Sequence, residues 1–283
     1  VTSDVVVSDV VATQLLLTTA PSDAAAVNGS VVSGQVFATQ PILQAQNAAG
    51  LIDMGYTSTL TASLSAGSGT LAGTLVALPS NGITTFNNLK YTATGEGESF
   101  TINFGDGSLP TVSTTTLKAD VVADRLVFTQ AATDGNAVNG DIVSGTSFAQ
   151  QPVVQARDAN GLHDSNYAGT TVTASENGAG SLAGDVDIQL SAGQATFTDL
   201  AYDATTDGEM FTLTLGDGTL TAATAVLTAD AIATQLVLAT APAHAGTPNG
   251  DLTSGIRFLT QPIVEAHDGR GIKSYVESKC HPY

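Results

Sequence analysis

The chain states one pattern twice and begins it a third time. VVATQL at 10–15 returns as VVADRL at 121–126, an offset of 111 residues, and as AIATQL at 231–236, a further 110. The register holds far from that anchor: QPILQAQNAAGL from Gln40 recurs as QPVVQARDANGL from Gln151 and as QPIVEAHDGRGI from Gln261. TFNNLKY at 85–91 likewise returns as TFTDLAY at 196–202. A unit of this size can hold a core of its own, so the sequence divides into repeats at 10–120 and 121–230 and a partial one at 231–283. Residues 1–9 match 112–120 at the same offset and read as the terminal strand of a preceding repeat or as a donor segment. Whatever the chain does must be something a repeated module serves.

Within a repeat the apolar residues alternate. Leu43-Gln44-Ala45-Gln46, Val154-Gln155-Ala156-Arg157 and Val264-Glu265-Ala266-His267 keep the first and third places apolar while the others change freely. This is the pattern of a strand with one buried face. Phe100, Ile102 and Phe104 are expected to point inward in the same way, as are Leu15 and Leu17 with their counterparts Leu126, Phe128, Leu236 and Leu238. Asn28-Gly29, Asn139-Gly140, Asn249-Gly250, Asp106-Gly107, Asp217-Gly218 and Asn160-Gly161 supply dipeptides that accept the positive φ of tight turns. No stretch carries a 3.6-residue period with a cap, so helices are expected to be negligible. Roughly seven strands in about 110 residues, each with one apolar face, predict an all-β fold of two-sheet sandwiches.

Composition narrows the function. Acidic residues number 26 against 8 basic ones, for a net charge of −18. No basic stripe exists to neutralise phosphates, which argues against nucleic-acid binding. The single cysteine, Cys280, excludes an intrachain disulfide and leaves stability to packing. No run of about eighteen apolar residues marks a membrane-spanning segment, and the opening Val1 reads as a processed or partial product.

The order ATQL, then QPVVQARDANG at 151–161 or its counterparts, then AGSGTLAG at 66–73, then TFNNLKY or TFTDLAY resembles the bacterial Ig-like repeats of large secreted and surface-attached proteins, adhesins and filament-forming appendages among them. The resemblance runs from 10 to 230 and continues to about 272. It implies tandem Ig-like β-sandwiches in an extended array, displayed outside the cell, in a non-enzymatic structural role as a stalk or filament subunit. Other readings stay open: an adhesive module that binds a glycan or a host-surface protein, a virion decoration protein, or an accessory domain of an enzyme.

The joins are direct. Leu117-Lys118-Ala119-Asp120 and Leu227-Thr228-Ala229-Asp230 run into the next repeat without a Pro-rich or Gly/Ser linker, which leaves little hinge. Half a sandwich cannot close its core, so Leu236, Leu238, Val264 and Ala266 of the partial repeat should face water. Either the chain is a portion of a longer array, or strands of a neighbouring subunit, with Val5, Val6 and Val7 as the candidate segment, complete the sheet and produce self-association.

No catalytic constellation recurs across the copies. The four histidines, His163, His244, His267 and His281, are absent from the first repeat and read as surface residues. Gly67-Ser68-Gly69 and Gly178-Ala179-Gly180 lack the lysine and helix of a phosphate loop. No cofactor is expected apart from calcium, for which Asp120, Asp124 and Asp230 at the joins are the candidate interdomain ligands. Asp158-Ala159-Asn160-Gly161 reads as a hairpin turn, because its counterpart Asn47-Ala48-Ala49-Gly50 has lost the charge. Lysine-asparagine cross-links cannot be general, since the second repeat has no lysine.

Overall fold

A computed structural model describes residues 8–243 and 254–275. Among them the chain is all-β, with no helix. It divides into two compact units, one running to Arg125 with Ala156–Tyr167 added, the other made of Leu126–Gln155 and the residues from Ala168 onward.

In the first unit Gln14–Thr19 pairs antiparallel with Ile42–Gln46, which pairs with Ile83–Thr85. A larger sheet runs in the order Val31–Val32, Leu117–Asp120, Ser99–Gly105, Leu60–Ala66, Val76–Ala77, with Val112–Ser113 also on Ser99–Gly105. One core cluster draws on both sheets: Leu15, Leu43 and Ala45 from the smaller, Leu60, Phe100, Ile102, Phe104 and Leu117 from the larger. The alternation read from sequence is therefore the alternation of burial, and each fully buried large side chain contributes roughly 1.5–3 kcal/mol. Gln46 breaks the rule. It is 7% exposed and its amide donates to Gln44 Oε1 at 2.7 Å, so a polar residue is buried with a partner.

The second unit repeats these pairings at the sequence offset. Arg125–Gln130, Val153–Arg157 and Gln194–Thr196 form a three-stranded sheet, and Ile142–Val143, Ala223–Asp230, Glu209–Gly216, Thr171–Ser175 and Asp187–Gln189 form a five-stranded one. In both copies the two-residue strand joins its neighbour in parallel, Val31 beside Ala119 and Ile142 beside Ala229. Such short strands bring each copy above the seven expected from periodicity, because two residues are too few to show a period. Gly107, Gly161 and Gly218 adopt the positive φ expected of their turns, whereas two Asn-Gly turns differ. Gly29 and Gly140 do not adopt positive φ; they are glycine because a Cβ would lie 2.7 Å from the Lys118 or Thr228 carbonyl oxygen. Asn249-Gly250 lies outside the described residues.

The partial third repeat contributes Gln235–Thr240 paired with Ile263–His267, in the register and with the bulge of Gln14–Thr19 on Ile42–Gln46. Its inward-type face is open: Leu236 is 77%, Leu238 55% and Val264 56% exposed, where Leu15 and Leu43 are 7% and 0%. Ala266 is half-buried. Val5, Val6 and Val7 lie outside the described residues.

Each complete copy also carries a polar lock that sequence reading passed over. Tyr91 stacks on Phe100 at 3.7 Å between centroids, and Tyr202 on Phe211 at the same distance. Each hydroxyl donates to a glutamate, Tyr91 to Glu98 at 2.8 Å and Tyr202 to Glu209 at 2.5 Å. Glu98 also accepts from the amides of Ser68, Gly69 and Thr94. The glycine-rich spots are thus where the tyrosine crosses the chain: a Cβ on Gly69 or Gly180 would lie under 3 Å from the phenol ring. Partial burial opposes ionisation of both glutamates, but the converging donors outweigh it and hold each at about 2. Burial first, then Glu98, pushes the Tyr91 hydroxyl up to about 12.

A carboxyl whose folded value is depressed stabilises the fold above its unfolded value and loses that contribution as pH falls toward the folded one. The melting temperature of the protein is therefore expected to drop between the ordinary glutamate value of 4.5 and about 2. The double substitution Glu98→Gln, Glu209→Gln should melt lower at pH 7, by about 2 kcal/mol per site, and drop less on acidification. Melts that fall in parallel would show that the pair carries no part of the acid response.

Candidate functional site

The joins between copies are where the polar side chains concentrate, and each lies within one compact unit. In the first unit, strand Leu117–Asp120 runs directly into the next copy. Glu96 accepts the amide of Val121 at 2.9 Å and the side-chain amide of Asn166 at 2.9 Å. Asp164, 6% exposed, accepts the Ala123 amide at 3.1 Å and those of Asn166 and Tyr167 at 3.0 Å. Asp158 caps its own loop, accepting from the amides of Asn160 and Leu162 and from the Asn160 side chain. That is the hairpin-turn role read from sequence.

Asp158 thereby presents Asn160 to a corner formed by Ser33 and Gly34. Gly34 has φ +75, and a Cβ there would lie 2.4 Å from Asn160 Nδ2. Ser33 is 4% exposed and its hydroxyl accepts the Ala93 amide at 3.0 Å. A cavity of about 340 Å³ remains at this corner, lined by Gln35, Ala123 and Asp124 among others.

The second unit builds the same joint from the equivalent positions. Gly145, φ +78, lies under Arg270, whose guanidinium carbon would be 2.6 Å from a Cβ. Asp268 caps the loop through the amides of Arg270 and Ile272. Arg270 reaches Ser144 Oγ and Asp203, the latter at 2.7 Å. Asp207 stands where Glu96 stands and accepts the amides of Ala231 and Tyr275. The joint keeps its plan while the inserted side chain changes from amide to guanidinium. Its ion pair is exposed enough for solvent to screen it.

The candidate calcium ligands at the joins take hydrogen bonds or an ion pair from nearby residues. Asp120 and Asp230 are equivalent residues in successive copies, 2% and 3% exposed. Asp120 accepts the Asn28 amide at 3.2 Å, and Asp230 accepts those of Val138 and Asn139. They anchor the Asn-Gly loop onto the last strand. Asp124 is exposed and paired with Arg125 at 2.6 Å, which holds its carboxyl below the usual range, hydrogen bonding leading. Among the described residues no group of three His, Cys, Asp or Glu side chains is placed to hold a metal ion. Glu96 moves the other way. Burial first, then the Asp120 and Asp164 carboxylates, raises its value, and Asp120 Oδ1 beside it is buried without a hydrogen-bond partner.

Of the histidines, His267 ends the strand Ile263–His267 half-buried, with Nδ1 donating to the Gly271 carbonyl at 2.8 Å and Nε2 3.2 Å from the Glu265 carboxylate. His163 departs from the surface placement expected of it: its Nε2 is buried and unpartnered. His244, Cys280 and His281 lie outside the described residues. No described helix is long and apolar enough to cross a membrane.

No family model matches the sequence, and no curated protein does. Among solved structures, a beta-glycosidase from Bacteroides vulgatus is similar at 10% identity and TM-score 0.31, over 75% of this chain and 24% of that one. A beta-glucuronidase from Parabacteroides merdae is similar at 12% and 0.27, over 69% and 23%. Domains 4–9 of the surface layer protein SbsC are similar at 17% and 0.26, over 82% and 34%. The chain thus spans a quarter to a third of these structures.

If Asp207 holds the second joint, Asp207→Ala should speed hydrogen exchange at the Ala231 and Tyr275 amides roughly tenfold, the loss of about one hydrogen bond each. The Leu213 amide in the strand core should be unchanged. Unaltered exchange at 231 and 275 would remove the carboxylate from the joint.

Proposed function

We propose that the chain is a non-enzymatic structural protein of the cell exterior, a stalk or filament segment in which Ig-like β-sandwiches at 10–120 and 121–230 and the partial one at 231–283 are joined end to end. The observation that carries this reading is the joint built twice on one plan, with a Ser-Gly corner receiving the capped loop of the following copy. A module whose polar residues are committed to holding its own loops and its successor serves span. The open face at Leu236, Leu238 and Val264 fits the same reading, since its counterparts are covered by strands such as Leu60–Ala66 and Ser99–Gly105. In an array that face requires a sheet of the same kind to cover it.

Small-angle scattering tests the proposal. An array reaching on the order of 100 Å, from strand rise, has a radius of gyration of roughly 30 Å, whereas a compact globule of this length has about 19 Å. A value near the lower figure would overturn the end-to-end reading.

A further inference from the structure

Of the twelve asparagines only Asn28 is followed two places on by a serine or threonine, in Asn28-Gly29-Ser30. Asn-x-Ser without an intervening proline is the acceptor pattern for N-linked sugar on exported chains. Three residues recur by chance in many proteins, so the place of these in the fold decides what they can do. Asn28 stands in the exposed loop before Val31–Val32, next to Val27 at 85% exposure. Its backbone amide donates to Asp120 at 3.2 Å, whereas its side-chain amide makes no hydrogen bond among the described residues. The nitrogen that a sugar would occupy therefore faces solvent, and no contact of the fold is lost by occupying it.

The second copy shows what this loop requires of its residues. Ser30 donates its amide to the Lys118 carbonyl at 2.7 Å, and its hydroxyl accepts the Lys118 amide at 3.2 Å. Asp141 makes the equivalent pair of bonds with Thr228, both at 2.8 Å. The fold thus accepts either residue, and serine alone completes an acceptor. Asn139, the counterpart of Asn28, is also engaged: its side-chain amide donates to the Tyr275 carbonyl at 3.3 Å. One copy commits this asparagine to its joint, and the other leaves it open.

We infer that Asn28 is an N-glycosylation site, modified in the first copy while Asn139 stays bare in the second. This rests on the export proposed above. The donor is a lipid-linked oligosaccharide diphosphate. Asn28 Nδ2 attacks its anomeric carbon; the N–C bond forms, the C–O bond breaks with its electron pair leaving on the lipid diphosphate, and one amide proton passes to a base of the transferring enzyme. Once the strands close, Ser30 is tied to Lys118, so transfer belongs to the open chain. The exposed loop then leaves the sugar outside the core.

Mass spectrometry of peptides from the protein isolated from its own cells tests the inference. The peptide containing Asn28 should be heavier than its sequence by one oligosaccharide, and the peptide containing Asn139 should match its sequence. Asn28→Gln should abolish the added mass. Ser30→Asp should also abolish it while melting with Asn28→Gln, because Asp141 already makes that residue's hydrogen bonds in the second copy; loss of the acceptor is thereby separated from misfolding. Protein recovered outside the cell with Asn28 bare, or sugar that persists on Asn28 in Ser30→Asp, would overturn the inference and leave the structural proposal standing. Protein recovered only inside the cell, with Asn28 bare, would sink both.

Discussion

A strand with one apolar face has to bury that face, and most of this molecule follows from how it does so. In the two complete copies Leu43, Phe100, Ile102 and Phe104, or Val154, Phe211, Leu213 and Leu215, are 2% exposed or less. With no disulfide within the chain and few aromatics, these contacts supply the stability that disulfides supply in small cysteine-rich domains. The pair Gln235–Thr240 and Ile263–His267 has the same register and the same apolar face, which no sheet covers among the described residues.

The acidic excess has a structural use beyond solubility. Asp53, Asp106, Asp158, Asp164, Asp217 and Asp268 each accept backbone amides of loops. A carboxylate that accepts two amides fixes a loop that has no apolar side chain to anchor it. Glu98 and Glu209 extend the device to a tyrosine hydroxyl, and Glu96 and Asp207 extend it to the start of the next copy. The same chemistry thus shapes the loops within a module and the step between modules.

The sequence showed the repeats, their offsets, the β class and the inward residues, because each is written as a period or a copy. It also showed that Asp158 belongs to a turn, through the loss of charge at Asn47. The joints were less legible. Asp120 and Asp230 lie at the joins in sequence, which suggests metal ligands, and spacing alone does not show that their carboxylates accept amides of the Asn-Gly loops. Glu96, Asp207 and the Ser-Gly corners carry the joints without any motif of their own; only alignment of the three Ser-Gly pairs across the copies could have exposed them. Ala192 shows the limit of reading residue type alone: it adopts φ +49 at the place of Asn81, φ +53, because the tight turn of its neighbours imposes the conformation on a residue that disfavours it.

If the proposed array is right, the two complete repeats unfold separately under force. Pulling single molecules from their ends measures this directly. Two unfolding events are expected, each lengthening the chain by roughly 340 Å, the extended length of about 110 residues less one folded module. A single event releasing about twice that length would contradict the account.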